Sequence, residues 1–417
     1  MSITSLREAA FSRQAPQLDF RKFIHRNVTT LPELQALLET AIKLEFSTIP
    51  IYGTALYSIQ DTSSNAYQNL KSVMIEEMFH VNQAVNMLIA AGGKPRFTEE
   101  YAPAYPTYLP SANTQTTPYL SVRSASLNLF KEVFMAIEYP APVQAPAEGE
   151  NYSSIGQFYK AVSQAFEGLG DQAFSQLNEC GEQRLNFYIG KQGGRPTYVD
   201  NNATAQHAIE TIVEQGEGAS DPGHPLVAQQ PFGAYNHYGE RVDGTYGPIL
   251  GTPLELSHYF KFKKVVDNPV SFPEVRPTVA VASLDNYTNP LAVEMVKAFN
   301  TIYSVMLSSL EKSFEKGDQA EQVYFQLTLP IMHEMLPALA RAIMQVPIWK
   351  EGNQNVGPNA LPTWEYRPNS TLANFNKQLT NIISQTQGKY SLGESLLALP
   401  SQLERIQNCA QSLALEI

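Results

Sequence analysis

Cysteine is nearly absent: Cys180 and Cys409 are the only two in 417 residues. Two thiols cannot make a disulfide framework or a cysteine-ligated zinc or iron–sulfur site. Both are read as buried, inert thiols, and they suit a reducing compartment. Long apolar runs are missing too. None approaches the roughly 18 residues of a membrane-crossing helix, and the opening MSITSLREAAFSRQ lacks the apolar core of a secretory signal. The expectation is a soluble cytoplasmic protein with no membrane partner. Positive charge is in deficit, with 29 Lys and Arg against 40 Asp and Glu, a net charge of -11 and a pI near 5.2. Binding driven by phosphate neutralisation needs the opposite sign, so no nucleic-acid partner is expected. Hydrophobic residues at 43% and charged residues at 17% describe a globular chain, long enough for a large core.

What is present reads as helix almost throughout. Residues 1–30 form an extension lying on the main body. A helix starts near Leu31, with Thr29 or Thr30 as cap, Pro32 in the first turn and Glu33 at the positive dipole end. Leu34, Leu38, Ala41 and Glu45 recur on one face of it. Pro50 removes a backbone bond and predicts a kink. A second helix over 66–91 stops at Gly92-Gly93. The Pro- and Tyr-rich stretch 99–120 is an ordered loop. Its part 101–119 either lines a substrate channel or simply packs. Leu127, Phe130, Phe134 and Ile137 mark a third helix, ended by Pro140 and Pro142. Helices follow over 155–169, 203–215 and 254–266, then over 290–315, 319–346, 371–387 and 391–413. The fold class is all-α. A four-helix bundle occupies 31–268 and holds a long insertion at 143–253. A C-terminal helical unit fills 269–417.

The chemistry lies in glutamates on apolar helix faces. Glu77 and His80 stand one turn apart in IEEMFH, and Glu255 and His258 repeat the spacing in ELSH. Glu45 shares the Leu34, Leu38 and Ala41 face, and Glu138 falls four after Phe134. Glu76 points away from Glu77 and is expected to be exposed. Buried carboxylates are costly unless paired, hydrogen-bonded or metal-bound. Two divalent cations would remove the repulsion among four glutamates. One Glu from each of two helices, plus a Glu-x-x-His from each of two others, is the ligand pattern of di-iron and di-manganese carboxylate bundles. Oxygen and imidazole donors suit iron or manganese, and zinc is accepted.

The chain also resembles a known family. LPELQALLETAIKLEFSTIPIYGTALYSI, SVMIEEMFHVNQAVNMLIAAGGKPRF, AIEYPAP, IVEQGEG and ELSHYFKF, with NTIYSVMLSSLEKSF and GPNALPTWEY nearer the end, are similar to the ferritin-like domain of bacterial proteins related to the C-terminal part of the violacein and rebeccamycin iminophenylpyruvate dimer synthases. The resemblance implies Glu45, Glu77, His80, Glu138, Glu255 and His258 as ligands of two iron ions, with manganese or zinc as substitutes. Between Glu138 and Glu255 lies a helix carrying Glu210 and Glu214. Either 143–253 is an insertion, or that helix is the fourth wall and Glu214 is the ligand; the preserved Glu-x-x-His spacing favours Glu255. The implied activity is a di-iron oxidoreductase that activates O₂ on a small organic, aromatic amino-acid-derived substrate in specialised metabolism, in a homodimer. The alternative is a non-catalytic iron-binding, storage or structural protein, or a metal-free bundle with hydrogen-bonded carboxylates. Other pairs have plainer readings. His207 and Glu210 form a surface pair, His333 and Glu334 are structural, and His224 and His237 sit in loops.

Overall fold

The computed structural model describes residues 28–141, 144–187, 196–217, 257–386 and 394–415. Helix α1, Leu31–Ser58, begins with a capping box: the Thr30 hydroxyl accepts from Glu33 N, and the Glu33 carboxylate accepts from Thr30 N at 3.1 Å. It stays helical through Pro50. Helix α2, Asn65–Ala90, is capped by Ser64. It stops where Gly92 takes φ +77, a conformation that suits glycine; a Cβ there would also lie 2.4 Å from Gln176 Cβ. The short connection makes α1 and α2 antiparallel neighbours.

The third helix, α3, comes in three pieces: Leu127–Leu129, a wide π turn over Phe130–Phe134, and Met135–Ile137. The π turn adds a residue to the α repeat and rotates the face. This corrects the sequence reading in detail. Phe130, Phe134 and Ile137 are buried, but Leu127 is half-exposed and Leu129 faces the core instead. Helices α4, Ile155–Leu169, and α5, Asn202–Gly216, pack on each other, α4 against α1 and α5 against α2. Helix α6, His258–Val266, packs on α2 and on the π turn of α3.

The C-terminal helices are α7, Pro290–Lys312, then α8, then α9, Leu372–Thr386, and α10, Glu394–Ser412. Helix α8 was expected as one regular helix. It is a helical run of Asp318–Val323 and Leu336–Ile343 with π turns at Tyr324–Thr328 and Ile331–Met335 between them. Pro330 and Pro337 lack the N–H that regular α bonding needs, which fits the widened turns beside them. These helices share one hydrophobic core with the bundle. Trp364 packs edge-on to Phe299 and Tyr303 and donates to Thr54 Oγ1 at 2.7 Å. Glu311 accepts from Phe97 N and Thr98 Oγ1 at 3.0 and 3.1 Å.

The 99–120 segment is the ordered loop expected. Thr107 and Leu120 pair across it, and Tyr105 donates to Ser47 O of α1 at 2.6 Å. Cys180 is exposed and Cys409 half-buried, against the expectation of buried thiols. Cys180 sits in a bend with no apolar face to turn inward. No helix among the described residues is long and apolar enough to cross a membrane.

Phe262 on α6 is fully buried among Tyr52, Phe134 and Phe130, with ring centroids at 5.4, 5.3 and 5.6 Å. Truncating it leaves a cavity between three elements. Phe262→Ala should destabilise the fold by about 3–5 kcal/mol, read as a lower urea midpoint. A loss of stability under about 1 kcal/mol would mean that α6 does not pack as described.

Candidate metal centre

Five of the six predicted ligands meet in one interior space, and Glu255 lies outside the described residues. Glu45 comes from α1, Glu77 and His80 from one face of α2, Glu138 from the end of α3 and His258 from the first turn of α6. All five are buried. One oxygen, Glu77 Oε1, faces both imidazoles: it is 2.9 Å from His258 Nδ1 and 3.9 Å from His80 Nδ1. His80 Nδ1 is 3.5 Å from Glu45 Oε2, and His258 Nδ1 is 3.6 Å from Glu138 Oε2. The imidazole rings stack with centroids 5.3 Å apart. Donor atoms of Glu77, His80 and His258 lie within 4.8 Å of one another.

A shell of hydrogen bonds fixes each group. Tyr159 of α4 donates to Glu45 Oε1 at 2.5 Å, and Tyr52 of α1 donates to Glu138 Oε1 at 2.7 Å. Thr48 Oγ1 reaches Glu77 Oε2 at 2.9 Å. The outward nitrogens of the histidines are held differently. His80 Nε2 is 2.9 Å from Gln215 Oε1 on α5, whereas His258 Nε2 is 2.8 Å from Glu76 Oε2. Lys261 Nζ, one turn beyond His258, donates to both Glu76 oxygens at 2.9 and 2.7 Å and to Ser72 Oγ at 3.0 Å.

Glu76 is therefore fully buried, not exposed as its spacing suggested. Helix α2 has core on nearly every side, so pointing away from Glu77 does not mean pointing to water. Its sequence carries the signal: from Val73 to Ala90 the only charged residues are Glu76 and Glu77, and a helix without a charged face is an interior one. Glu214 is corrected as well. It is exposed on the outer side of α5, and its neighbour Gln215 is the residue turned inward. His207 and Glu210 are exposed, as a surface pair should be, and His333 is exposed on α8. His224 and His237 lie outside the described residues.

Burial, then the charge of Glu138, pushes the Glu77 carboxyl up to about 7, against the lowering contact with His258. Burial alone would lower both imidazoles, but the carboxylates reverse it. His80 is raised by Glu45 and Glu77, and His258 is raised well above its ordinary value, chiefly by Glu138. Burial and their carboxylate partners push the Tyr52 and Tyr159 phenols far up, so both remain neutral donors.

The donor set fits a transition metal. It contains carboxylates and imidazoles with no thiolate. Both Nδ1 atoms face the carboxylates while both Nε2 atoms are held from behind, as metal-ligating histidines require. His258 Nδ1 is buried and makes no well-formed hydrogen bond, although two carboxylates stand close to it. Two imidazole nitrogens and the oxygens of three carboxylates converging in one dry space are a set that a cation could use.

A family model described as Ferritin-like matches residues 38–267, more than half of the chain. The solved structure of a ferritin-like protein from Caulobacter vibrioides superposes with a TM-score of 0.55 at 21% identity, covering 82% of this chain and 100% of that one. At that identity the likeness shows the fold alone. Comparison with curated proteins gives no match.

A folded-state pKa above the unfolded value means the native state holds its proton where the unfolded chain has released it. The stability this gives is full below the unfolded value and is lost as pH rises through the folded one. For Glu77 that window runs from about 4.3 to about 7, and for the two raised histidines it starts near 6.5 and extends upward. Protein freed of metal with a chelator should melt at lower temperature as the pH is raised between about 5 and 8. Glu77→Gln should flatten that slope; an equal slope in both proteins would show that Glu77 keeps an ordinary carboxyl pKa.

Proposed function

Since the chain belongs to the ferritin-like family, we propose that Glu45, Glu77, His80, Glu138 and His258, joined by Glu255, hold two divalent cations in an oxidoreductase that activates O₂ on a small organic substrate. Iron is the proposed metal, with manganese or zinc as substitutes the donors accept. The carrying observation is the convergence of Glu77 Oε1 and the Nδ1 atoms of His80 and His258, with oxygens of Glu45 and Glu138 beside them, in one buried space. When bound, a pair of redox-active metal ions supplies the one-electron steps that O₂ chemistry needs and that no side chain here offers.

The chain's own part is positioning and exclusion. Glu77 faces both histidines through one oxygen and is the carboxylate to be shared. Tyr159 and Tyr52 each restrain one oxygen of Glu45 and Glu138, leaving the other oxygen of each toward a histidine. Phe130, Phe134 and Phe262 wall the Glu138 side and keep water out. The 101–119 loop rests on α1 at Ser47, two residues from Glu45, and is the proposed boundary of the substrate space. The resemblance of AIEYPAP, IVEQGEG and the α2 segment to the dimer-synthase relatives supports an aromatic amino-acid-derived substrate. A second reading, iron binding or storage without catalysis, uses the same ligands.

Metal analysis of the purified protein should find about two ions per chain. Glu77→Ala should retain about half or less, because one carboxylate serves both positions. Unchanged metal content in that variant would sink the assignment. Ferrous iron added to metal-free protein should then drive O₂ uptake that aromatic amino-acid derivatives accelerate. Uptake that no organic substrate changes would favour the storage reading.

A further inference from the structure

The two ends of the centre are built unequally. Behind His258 stands a carboxylate: Glu76 lies 2.8 Å from Nε2 and is itself anchored by Lys261 and Ser72, all within the interior. Behind His80 stands a neutral amide, Gln215, at 2.9 Å. A hydrogen bond to a carboxylate makes an imidazole a better donor to metal than one to an amide, since charge-assisted bonds are about twice as strong. Lys261 tempers the charge of Glu76, donating to the same oxygen, Oε2, that His258 Nε2 meets, yet the group against the ring is still a carboxylate. The inward geometry has the same bias. Carboxylate oxygens stand 2.9 and 3.6 Å from His258 Nδ1, against 3.5 and 3.9 Å from His80 Nδ1. We propose that the centre fills in a fixed order, the cation on His258 entering first and bound more tightly than the cation on His80.

This rests on the two-cation reading above, and a titration separates their failures. Metal-free protein is titrated with Mn²⁺ by calorimetry and by electron paramagnetic resonance. Two steps are expected, the first about 10-fold or more tighter than the second. The spectrum should show an isolated ion up to one equivalent and lose that signal toward two. His258→Ala should remove the tight step and keep the weak one, and His80→Ala should do the reverse. Glu76→Gln should weaken the tight step by about 10-fold and leave the weak step within about 2-fold. Two equal steps in the unaltered protein would overturn the order while leaving two cations in place, and so would loss of the tight step in His80→Ala. No Mn²⁺ binding would overturn both readings. The titration of the unaltered chain needs no variant, and circular dichroism of each metal-free variant verifies that it is folded.

Discussion

Three carboxylates and two imidazoles share an interior that water does not reach, and the rest of the bundle is arranged around that fact. Each buried ion costs several kcal/mol after relaxation, so the surrounding side chains are those that lower this cost. Two phenols, an amide, a threonine hydroxyl and an ammonium–carboxylate pair donate to or accept from the five groups. They satisfy the outer atoms of the cluster. They do not satisfy its middle, where Glu77 Oε1 stands between two imidazole nitrogens and Glu77 holds its proton up to about neutral pH. The outer atoms are thus held by neighbours, and the inner ones face one another.

The elements follow from that requirement. Helices α1 and α2 are long and buried over most of their length, which gives Glu45 and the Glu77–His80 pair rigid supports. The π turn of α3 re-phases the chain just before Glu138: Phe130, Phe134 and Glu138 face inward, while Leu127, which a regular α repeat would place with them, is half-exposed. Helix α6 is short, yet its first residue is His258, and Lys261 follows one turn later on the same side.

The sequence made the helices and most of the buried carboxylate and imidazole cluster legible because both signals are local. Glycine and proline punctuation, with helical spacing, brought 155–169 into agreement with the structure at both ends. Glu-x-x-His spacing and apolar faces were enough to single out Glu45, Glu77, His80, Glu138 and His258, and the structure gathers those five. What escaped is set by tertiary contact. Glu76 was misplaced because a helical wheel separates inside from outside only when a helix has an outside. Gln215 and Tyr159 come from α5 and α4, whose periodicity says that they are amphipathic but not which neighbour they meet. Tyr52 was in reach, lying two turns after Glu45 on the same face. The π turns of α3 and α8 leave no mark in an apolar pattern read at 3.6 residues per turn.

The helices that lie between Glu138 and His258 in the sequence are tied into the buried cluster, and Glu217 shows how. This buried carboxylate, pushed up to about 7 mainly by burial, follows directly after α5 and accepts from Gly156 N in the first turn of α4 at 2.6 Å and from Ala141 N at 2.9 Å. Ala141 is three residues past Glu138. The fit is close: a Cβ on Gly156 would lie 2.3 Å from Glu217 Oε2, and one on Gly216 would lie 3.4 Å from Glu138 Oε2. Glu217 thus ties α5 to the start of α4 and to the chain leaving Glu138. The same two helices supply Gln215 to His80 and Tyr159 to Glu45. Two helices that carry hydrogen bonds to Glu45 and His80, and clamp the chain beside Glu138, form a wall of the bundle, and the five buried groups are held from that wall as much as from the helices that bear them.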